Sequence, residues 1–139
     1  MKKTVVLGLL AILLVFGLIG CDNELTNDDN NTSIRYDGVY YRKMSGYTRY
    51  IRFYDDKTVI TSSSTGTIAQ IKEWFNKDRE DVAKGIFTII GNNISFSSTD
   101  EFGTVDYDGQ ILTGRLLLNS YSHINGNVTN NAEFKFSTW

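Results

Sequence analysis

From Ile34 onward, hydrophobic and polar positions alternate in short segments rich in Tyr, Phe, Val, Ile and Thr. Alternation with a period of two predicts β-strands that have one buried and one solvated face. Gly, Asn, Asp and Ser separate the segments, and these residues accept the backbone angles of tight turns. The pattern predicts eight strands, at residues 38–44, 47–54, 58–63, 85–90, 94–98, 103–111, 115–121 and 132–138. We place Gly109 inside the sixth strand as a bulge or bend, because a turn at Thr113-Gly114 leaves longer flanking strands.

One segment departs from this alternation and predicts a short helix between the third and fourth strands. Thr67 followed three residues later by Gln70 is typical of a capping box at a helix N-terminus. Apolar residues then recur at helical spacing, at Ile68, Ile71, Trp74 and Phe75. We expect this apolar stripe to cover an open end or edge of the sheet, with Trp74 and Phe75 as the plug.

The number of strands and their short connections predict an all-β fold, an eight-stranded antiparallel up-and-down meander barrel with one short α-helix between strands three and four. A barrel of this size either fills its interior with side chains or leaves room for one small ligand. The residues that we expect to face the interior are Tyr40, Ile51, Phe53, Phe87, Ile89, Ile94, Phe96, Tyr107, Leu116, Leu118, Phe134 and Phe136.

The first twenty-one residues have the pattern of an export signal. Lys2 and Lys3 precede an uncharged apolar run over residues 5–19, which is too short for a typical membrane-spanning helix. Leu18-Ile19-Gly20-Cys21 then resembles the bacterial lipobox, in which the cysteine is lipidated and the chain is cleaved just before it. We therefore divide the chain into a signal peptide (1–20), a lipidated Cys21 with a flexible polar tether (21–33) and a barrel domain (34–139).

Charge and cysteine content exclude several classes of function. Without residues 1–20 the chain has twelve basic and sixteen acidic residues, and no cluster of Lys and Arg forms a basic face for nucleic acid. Cys21 is the only cysteine, so once it is lipidated the mature chain has no thiol for a disulfide or a zinc site.

Several short motifs resemble the bacterial lipocalin-like (calycin-type) barrel lipoproteins. The start Gly38-Val39-Tyr40 is similar to the Gly-x-aromatic start of those barrels. The second half of that family is similar to segments that lie here at residues 103–109, 116–118, 122–126 and 134–136. This resemblance implies a ligand-carrying barrel held at the cell envelope by lipid.

The inventory of reactive side chains does not favour an enzyme. His123 is the only histidine, and its neighbour Ser122 points to the opposite face if both lie in one strand, so the two cannot form a nucleophilic dyad. Asp106 and Asp108 share one strand face, which is compatible with a carboxylate pair or two calcium ligands, but simple solvation accounts for both. We therefore expect no catalytic residues, no metal site and no cofactor.

A group of tyrosines and arginines forms a second candidate site. Such residues dominate interaction hot spots and can also stack on glycans or planar ligands. The candidate interaction face consists of Tyr41, Tyr50, Arg52 and Tyr54. The competing interpretation is that period two sends Ile51 and Phe53 inside, while the tyrosines only cover the outside of the barrel.

Two functional hypotheses follow. The leading one is a non-enzymatic bacterial envelope lipoprotein, on the periplasmic or cell-surface side, that binds a small apolar or amphipathic ligand inside a lipocalin-like barrel. Its candidate ligand-lining residues are Tyr40, Phe53, Phe87, Phe96, Tyr107 and Phe136. The alternative is a filled barrel that binds an envelope or host protein, or a glycan, through its Tyr/Arg face. In both cases we expect a monomer attached to the membrane through Cys21 alone.

Overall fold

A computed structural model describes residues 32–139, which form a closed eight-stranded antiparallel barrel. The predicted signal peptide, Cys21 and most of the predicted tether lie outside the described residues. The strands are β1 (Gly38–Lys43), β2 (Thr48–Phe53), β3 (Thr58–Ser64), β4 (Ala83–Ile90), β5 (Asn93–Asp100), β6 (Gly103–Leu112), β7 (Arg115–Ser122) and β8 (Val128–Thr138). A short helix α1 (Ile68–Ile71) and a 3₁₀ turn (Lys72–Trp74) lie between β3 and β4. The predicted all-β meander with one helix is confirmed.

Pairing of the first strand with the last closes the barrel. Tyr40 of β1 lies opposite Phe136 of β8, and every other strand pairs with its neighbours in sequence, so no strand of the barrel is an edge. Gly109 lies within β6 as predicted, but the pairing of β6 on both sides is unbroken, so the expected bulge is absent there. A Cβ at Gly109 would lie only 2.0 Å from the Leu117 carbonyl oxygen, so a close approach of two strands requires glycine at this position.

The last strand is longer than predicted. It begins at Val128, four residues before the predicted start, and it follows β7 through a register shift between Leu118 and Ser120. Asn131 adopts a positive φ of 52° in this irregular stretch. The polar run before Ala132 is typical of a loop in sequence, yet Val128 and Thr129 extend the strand because they pair with Tyr121 and Ser120 of β7.

Large apolar side chains fill one end of the barrel, called here the closed end. Phe53 makes edge-to-face contacts with Phe87 and Phe96, with ring centroids 5.0 and 5.5 Å apart, and Tyr40 contacts both Phe53 and Phe136 in the same way. Ile34, which precedes β1, is buried in the same cluster and covers this end. The interior is therefore a packed aromatic core at the end where the described chain begins.

A second apolar cluster lies on the outside of the barrel. Val39, Tyr50 and Ile60 project outward from β1, β2 and β3, and all three are buried. The segment between β3 and β4, residues 65–82, covers them with Ile71, Phe75 and Val82. We call residues 65–82 the covering segment.

The helix lies between β3 and β4 as predicted, with its predicted capping box, but the expectation that it covers an open end or edge of the sheet is wrong. Thr67 and Gln70 exchange side-chain to backbone hydrogen bonds at the start of α1. The apolar stripe, however, packs on the outer wall and not on an open end, because the outer faces of β1–β3 carry an apolar row that must be buried. Phe75 is 3% exposed in that outer cluster, whereas Trp74 is 49% exposed, so neither residue plugs the barrel.

Replacing Phe75 with Ala tests this packing. We expect Phe75→Ala to destabilise the attachment of the covering segment by about 3 kcal/mol, since it removes a buried aromatic ring and leaves a cavity. Backbone amides in residues 68–84 should then exchange faster with solvent, and trypsin should cleave faster within that stretch. Trp74→Ala is the matched control, because Trp74 is half exposed. Equal exchange and cleavage rates in the two variants would contradict this packing.

Candidate functional site

The end of the barrel opposite Ile34 opens into a cavity of about 330 Å³, called here the mouth cavity. The β5–β6 turn at Gly103 and the β7–β8 loop at Ile124 and Asn125 border it. Several of its lining side chains carry hydroxyl groups on the inward face, namely Thr61, Ser63, Ser98, Ser120, Ser122 and Thr129. A volume of this size is at the lower end of the range for small-molecule sites and would hold on the order of ten water molecules.

The cavity exists because inward side chains become smaller along the strands. On β5, Phe96 faces the packed end and Ser98 faces the cavity. On β7, Leu118 belongs to the packed core and Ser120 lines the cavity. Each change from a large apolar residue to a serine reduces the side-chain volume inside the barrel. The barrel cannot narrow in response, because its width is fixed by its strand number. The half of the barrel with small side chains is therefore left open.

Aromatic and aliphatic side chains form the floor of the mouth cavity. Ile51, Tyr107 and Phe134 line it from below. Tyr107 stacks on Phe96 with ring centroids 4.6 Å apart, which fixes the ring against the core. Burial raises the pKa of the Tyr107 hydroxyl, and the positive charge of Arg49 acts in the opposite direction.

Most of the predicted ligand-lining residues belong to the packed core. Of the six, Tyr107 alone lines the mouth cavity. The others contact one another in the closed half of the barrel, and they are Tyr40, Phe53, Phe87, Phe96 and Phe136. Period two identified the inward face correctly but carried no information on which half of the barrel stays open. Sequence reasoning missed the hydroxyl-bearing residues of the cavity, although their shared inward register with the aromatic residues was a usable signal.

Some polar groups of the mouth cavity form hydrogen bonds within the protein, and others do not. Ser98 is 2% exposed, and its hydroxyl lies 2.7 Å from that of Thr61. The Asp100 carboxylate accepts hydrogen bonds from the backbone amides of Phe102 and Gly103. Within residues 32–139, the side chain of Arg49 has neither a hydrogen bond nor an ion pair. The cavity thus contains a guanidinium group whose hydrogen-bonding capacity the described chain leaves unused.

The predicted Tyr/Arg interaction face is largely covered by the protein itself. Tyr50 is buried, and its hydroxyl donates a hydrogen bond to the Gly66 carbonyl oxygen at 2.8 Å. Tyr54 and Arg52 both donate to the carbonyl oxygen of Phe75. Tyr41 is partly buried against the same outer cluster. The expectation of one exposed face is therefore wrong, because these side chains dock the covering segment onto the barrel.

Asp106 and His123 form a polar cluster on the outer wall. One carboxylate oxygen of Asp106 accepts a hydrogen bond from Ser97 at 2.6 Å, and the other lies 2.6 Å from His123 Nε2. Both hydrogen bonds lower the pKa of Asp106, that from Ser97 most. Since Ser97 and His123 approach opposite oxygens, the serine lacks the contact with imidazole that a nucleophilic dyad needs. Asp108 accepts separately from Asn119 at 3.0 Å.

Removing the Ser97 hydroxyl tests this cluster. We expect Ser97→Ala to raise the pKa of the Asp106 carboxyl toward the ordinary aspartate value, because the carboxylate loses a hydrogen bond that favours its ionised form. A carbon-13 NMR titration of the side-chain carboxyls measures the change. Ser95→Ala is the control, since Ser95 is exposed on the same strand and lies opposite Asp108. An unchanged Asp106 midpoint in Ser97→Ala would contradict the assignment.

Comparison with known proteins gives no relative from which a function could be inferred. No protein-family model, curated protein or solved structure matches this chain. Within residues 32–139, none of the helices has the length and apolar character needed to cross a membrane. The same residues contain no group of three or more His, Cys, Asp or Glu side chains arranged to hold a metal ion. The mouth cavity is the candidate site because it combines enclosure with polar groups that converge on one volume.

Proposed function

We propose that this protein is a non-enzymatic, lipid-anchored lipoprotein of the bacterial cell envelope that binds a small ligand in the mouth cavity of a lipocalin-like barrel. The observation that carries the proposal is a half-open cavity in a closed barrel, whose wall presents several hydroxyl groups that have no hydrogen-bond partner within residues 32–139. The sequence alone suggested an apolar or amphipathic ligand. The polar wall favours a small hydroxylated ligand that forms hydrogen bonds with the wall and packs against the apolar and aromatic floor.

The hydroxyl groups of the cavity wall are available for binding. Within the described residues, the side chains of Ser120, Ser122 and Thr129 have no hydrogen-bond partner, and Ser120 lies directly opposite Thr129 across β7 and β8. A hydroxyl group can both donate and accept, so such a wall suits the alternating donors and acceptors of a polyol. Because rigid strands carry these groups, little ordering is needed when a ligand binds.

The position of the mouth relative to the proposed anchor supports a ligand that arrives from water. Ile34 covers the closed end of the barrel, so a tether from Cys21 joins the domain at the end opposite the mouth cavity. Two or more acyl chains hold a protein stably on a bilayer, because each buried methylene contributes about 0.8 kcal/mol. Because the tether joins the barrel at the closed end, the mouth cavity lies at the end of the barrel away from this point of attachment.

The anchor itself is tested by replacing Cys21. We expect Cys21→Ala to abolish incorporation of labelled palmitate and to leave an uncleaved precursor of higher mass, since both steps depend on the cysteine thiol. Metabolic labelling followed by mass spectrometry of the purified chain measures both. Asp22→Ala is the control, because it changes the adjacent residue and keeps the thiol. Equal labelling of Cys21→Ala would contradict the proposed lipidation.

Ligand binding is tested by native mass spectrometry of the full-length chain purified from its own host in a mild detergent. We expect an additional mass that is lost on denaturation. Ser120→Phe should lose that mass, because the added ring occupies the cavity beside Tyr107. Thr88→Phe is the matched control, since Thr88 is exposed on the outer wall of β4.

Two results would contradict ligand binding in the mouth cavity. The first is a bare mass for the unaltered chain, which would favour the alternative of a protein-interaction module. The second is an additional mass that Ser120→Phe retains as well as Thr88→Phe does, which would place the bound molecule elsewhere on the protein.

A further inference from the structure

Two arginines lie opposite each other at the mouth of the barrel. Arg42 of β1 and Arg49 of β2 are direct Cα partners, so their side chains share one face of the sheet. That face is the inner one, because Arg49 lines the mouth cavity and Arg42 is two residues from the inward-facing Tyr40. Both arginines are only partly exposed. Like charges directly opposite each other destabilise a strand pair, so this arrangement has a cost in the unliganded protein.

These two arginines also differ from the others in lacking partners. Within residues 32–139, neither the Arg42 nor the Arg49 side chain forms an ion pair or a hydrogen bond. Every other arginine has a partner, in the pairs Arg35 with Asp37, Arg52 with the Phe75 carbonyl oxygen, Arg79 with Asp81 and Arg115 with Glu133. A guanidinium group presents several donors in a planar fork that matches the oxygens of a carboxylate or a phosphate. The pair is thus a set of anion-binding donors without an anion from the described chain.

The nearest acidic side chain of the cavity does not supply that anion. Asp100 is the only acidic residue in the lining, and one oxygen of its carboxylate, Oδ1, accepts hydrogen bonds from both backbone amides of the β5–β6 turn. Tyr107 and the hydroxyl wall contribute neutral donors and acceptors. The cavity lining therefore contains one carboxylate, which is bonded to its own turn, beside Arg49 and the neighbouring Arg42.

We propose that Arg42 and Arg49 together bind an oxyanion, so that the ligand of the mouth cavity is a small hydroxylated molecule with one carboxylate or phosphate group. This inference rests on the proposed function, because it places the oxyanion in the same cavity. The oxyanion relieves the repulsion between the two guanidinium groups, while the hydroxyls of the ligand lie against Ser120, Ser122 and Thr129. The cavity volume of about 330 Å³ matches a molecule of monosaccharide size.

The test uses the full-length chain in detergent and three probes of similar shape. Glucose is neutral, glucuronate carries a carboxylate, and glucose 6-phosphate carries a phosphate. We expect at least one anionic probe to bind ten times more tightly than glucose, as measured by isothermal titration calorimetry. The anion that binds more tightly identifies which oxyanion the site prefers.

Variants at the two arginines separate a binding role from a structural one. Arg42→Gln with Arg49→Gln should weaken binding of the preferred anion at least tenfold and leave the unfolding temperature unchanged or higher, because the like-charge repulsion is removed. Lys43→Gln is the control, since Lys43 is an exposed cation next to Arg42 on the outward face. We expect Lys43→Gln to bind the anion within twofold of the unaltered chain.

Three results would overturn the oxyanion site. Glucose could bind as tightly as both anions, the double variant could bind the anion as the unaltered chain does, or the unaltered chain could bind none of the probes. The additional host-derived mass and its loss in Ser120→Phe are measured independently of these probes. A failure of the oxyanion inference is therefore distinguishable from a failure of ligand binding in the cavity.

Discussion

The fixed width of an eight-stranded barrel is the constraint on which the rest of this structure depends. Once β1 pairs with β8, the barrel is closed and the inward side chains must pack into an interior of fixed volume. Phenylalanines around Phe53 fill that volume at one end, and serines on the same inward faces leave it open at the other. The size of the inward side chains therefore determines both the core and the candidate site. Tyr107 lies at the boundary between them.

The outer wall of β1–β3 gives the structure a second core, and β2 links it to the cavity. Arg49 and Ile51 face inward on this strand, while Tyr50 faces outward beneath the covering segment. Packing on one face of a strand restrains the backbone that carries the side chains of the other face. Trp139 adds to this packing, because its ring lies 5.9 Å from that of Phe75 and 5.0 Å from the guanidinium group of Arg52. The covering segment therefore steadies the strand that presents Arg49 to the cavity.

The sequence predicts the barrel well and the site poorly, for a physical reason. Alternation specifies the face on which a residue such as Phe96 lies, and turn residues specify where each strand ends, so the meander follows from local rules. An amphipathic stripe such as that of Ile71 and Phe75 specifies only that some apolar surface must receive it. The location of that stripe on the outer wall depends on packing between distant parts of the chain. The adjacency of Arg42 and Arg49 at the mouth follows from the register of the β1–β2 hairpin, but their lack of partners depends on the whole barrel.

The charge distribution indicates how an anion would reach the mouth cavity. Without its first twenty residues the chain is acidic, with twelve basic against sixteen acidic residues, so its long-range field does not attract anions. The guanidinium groups of Arg42 and Arg49 act over a short range, inside a cavity whose walls exclude part of the solvent. Such an arrangement favours selection after entry over electrostatic steering from a distance. Specificity in the proposed site then depends on the fit between one oxyanion and two guanidinium groups that neighbouring strands of a closed barrel carry.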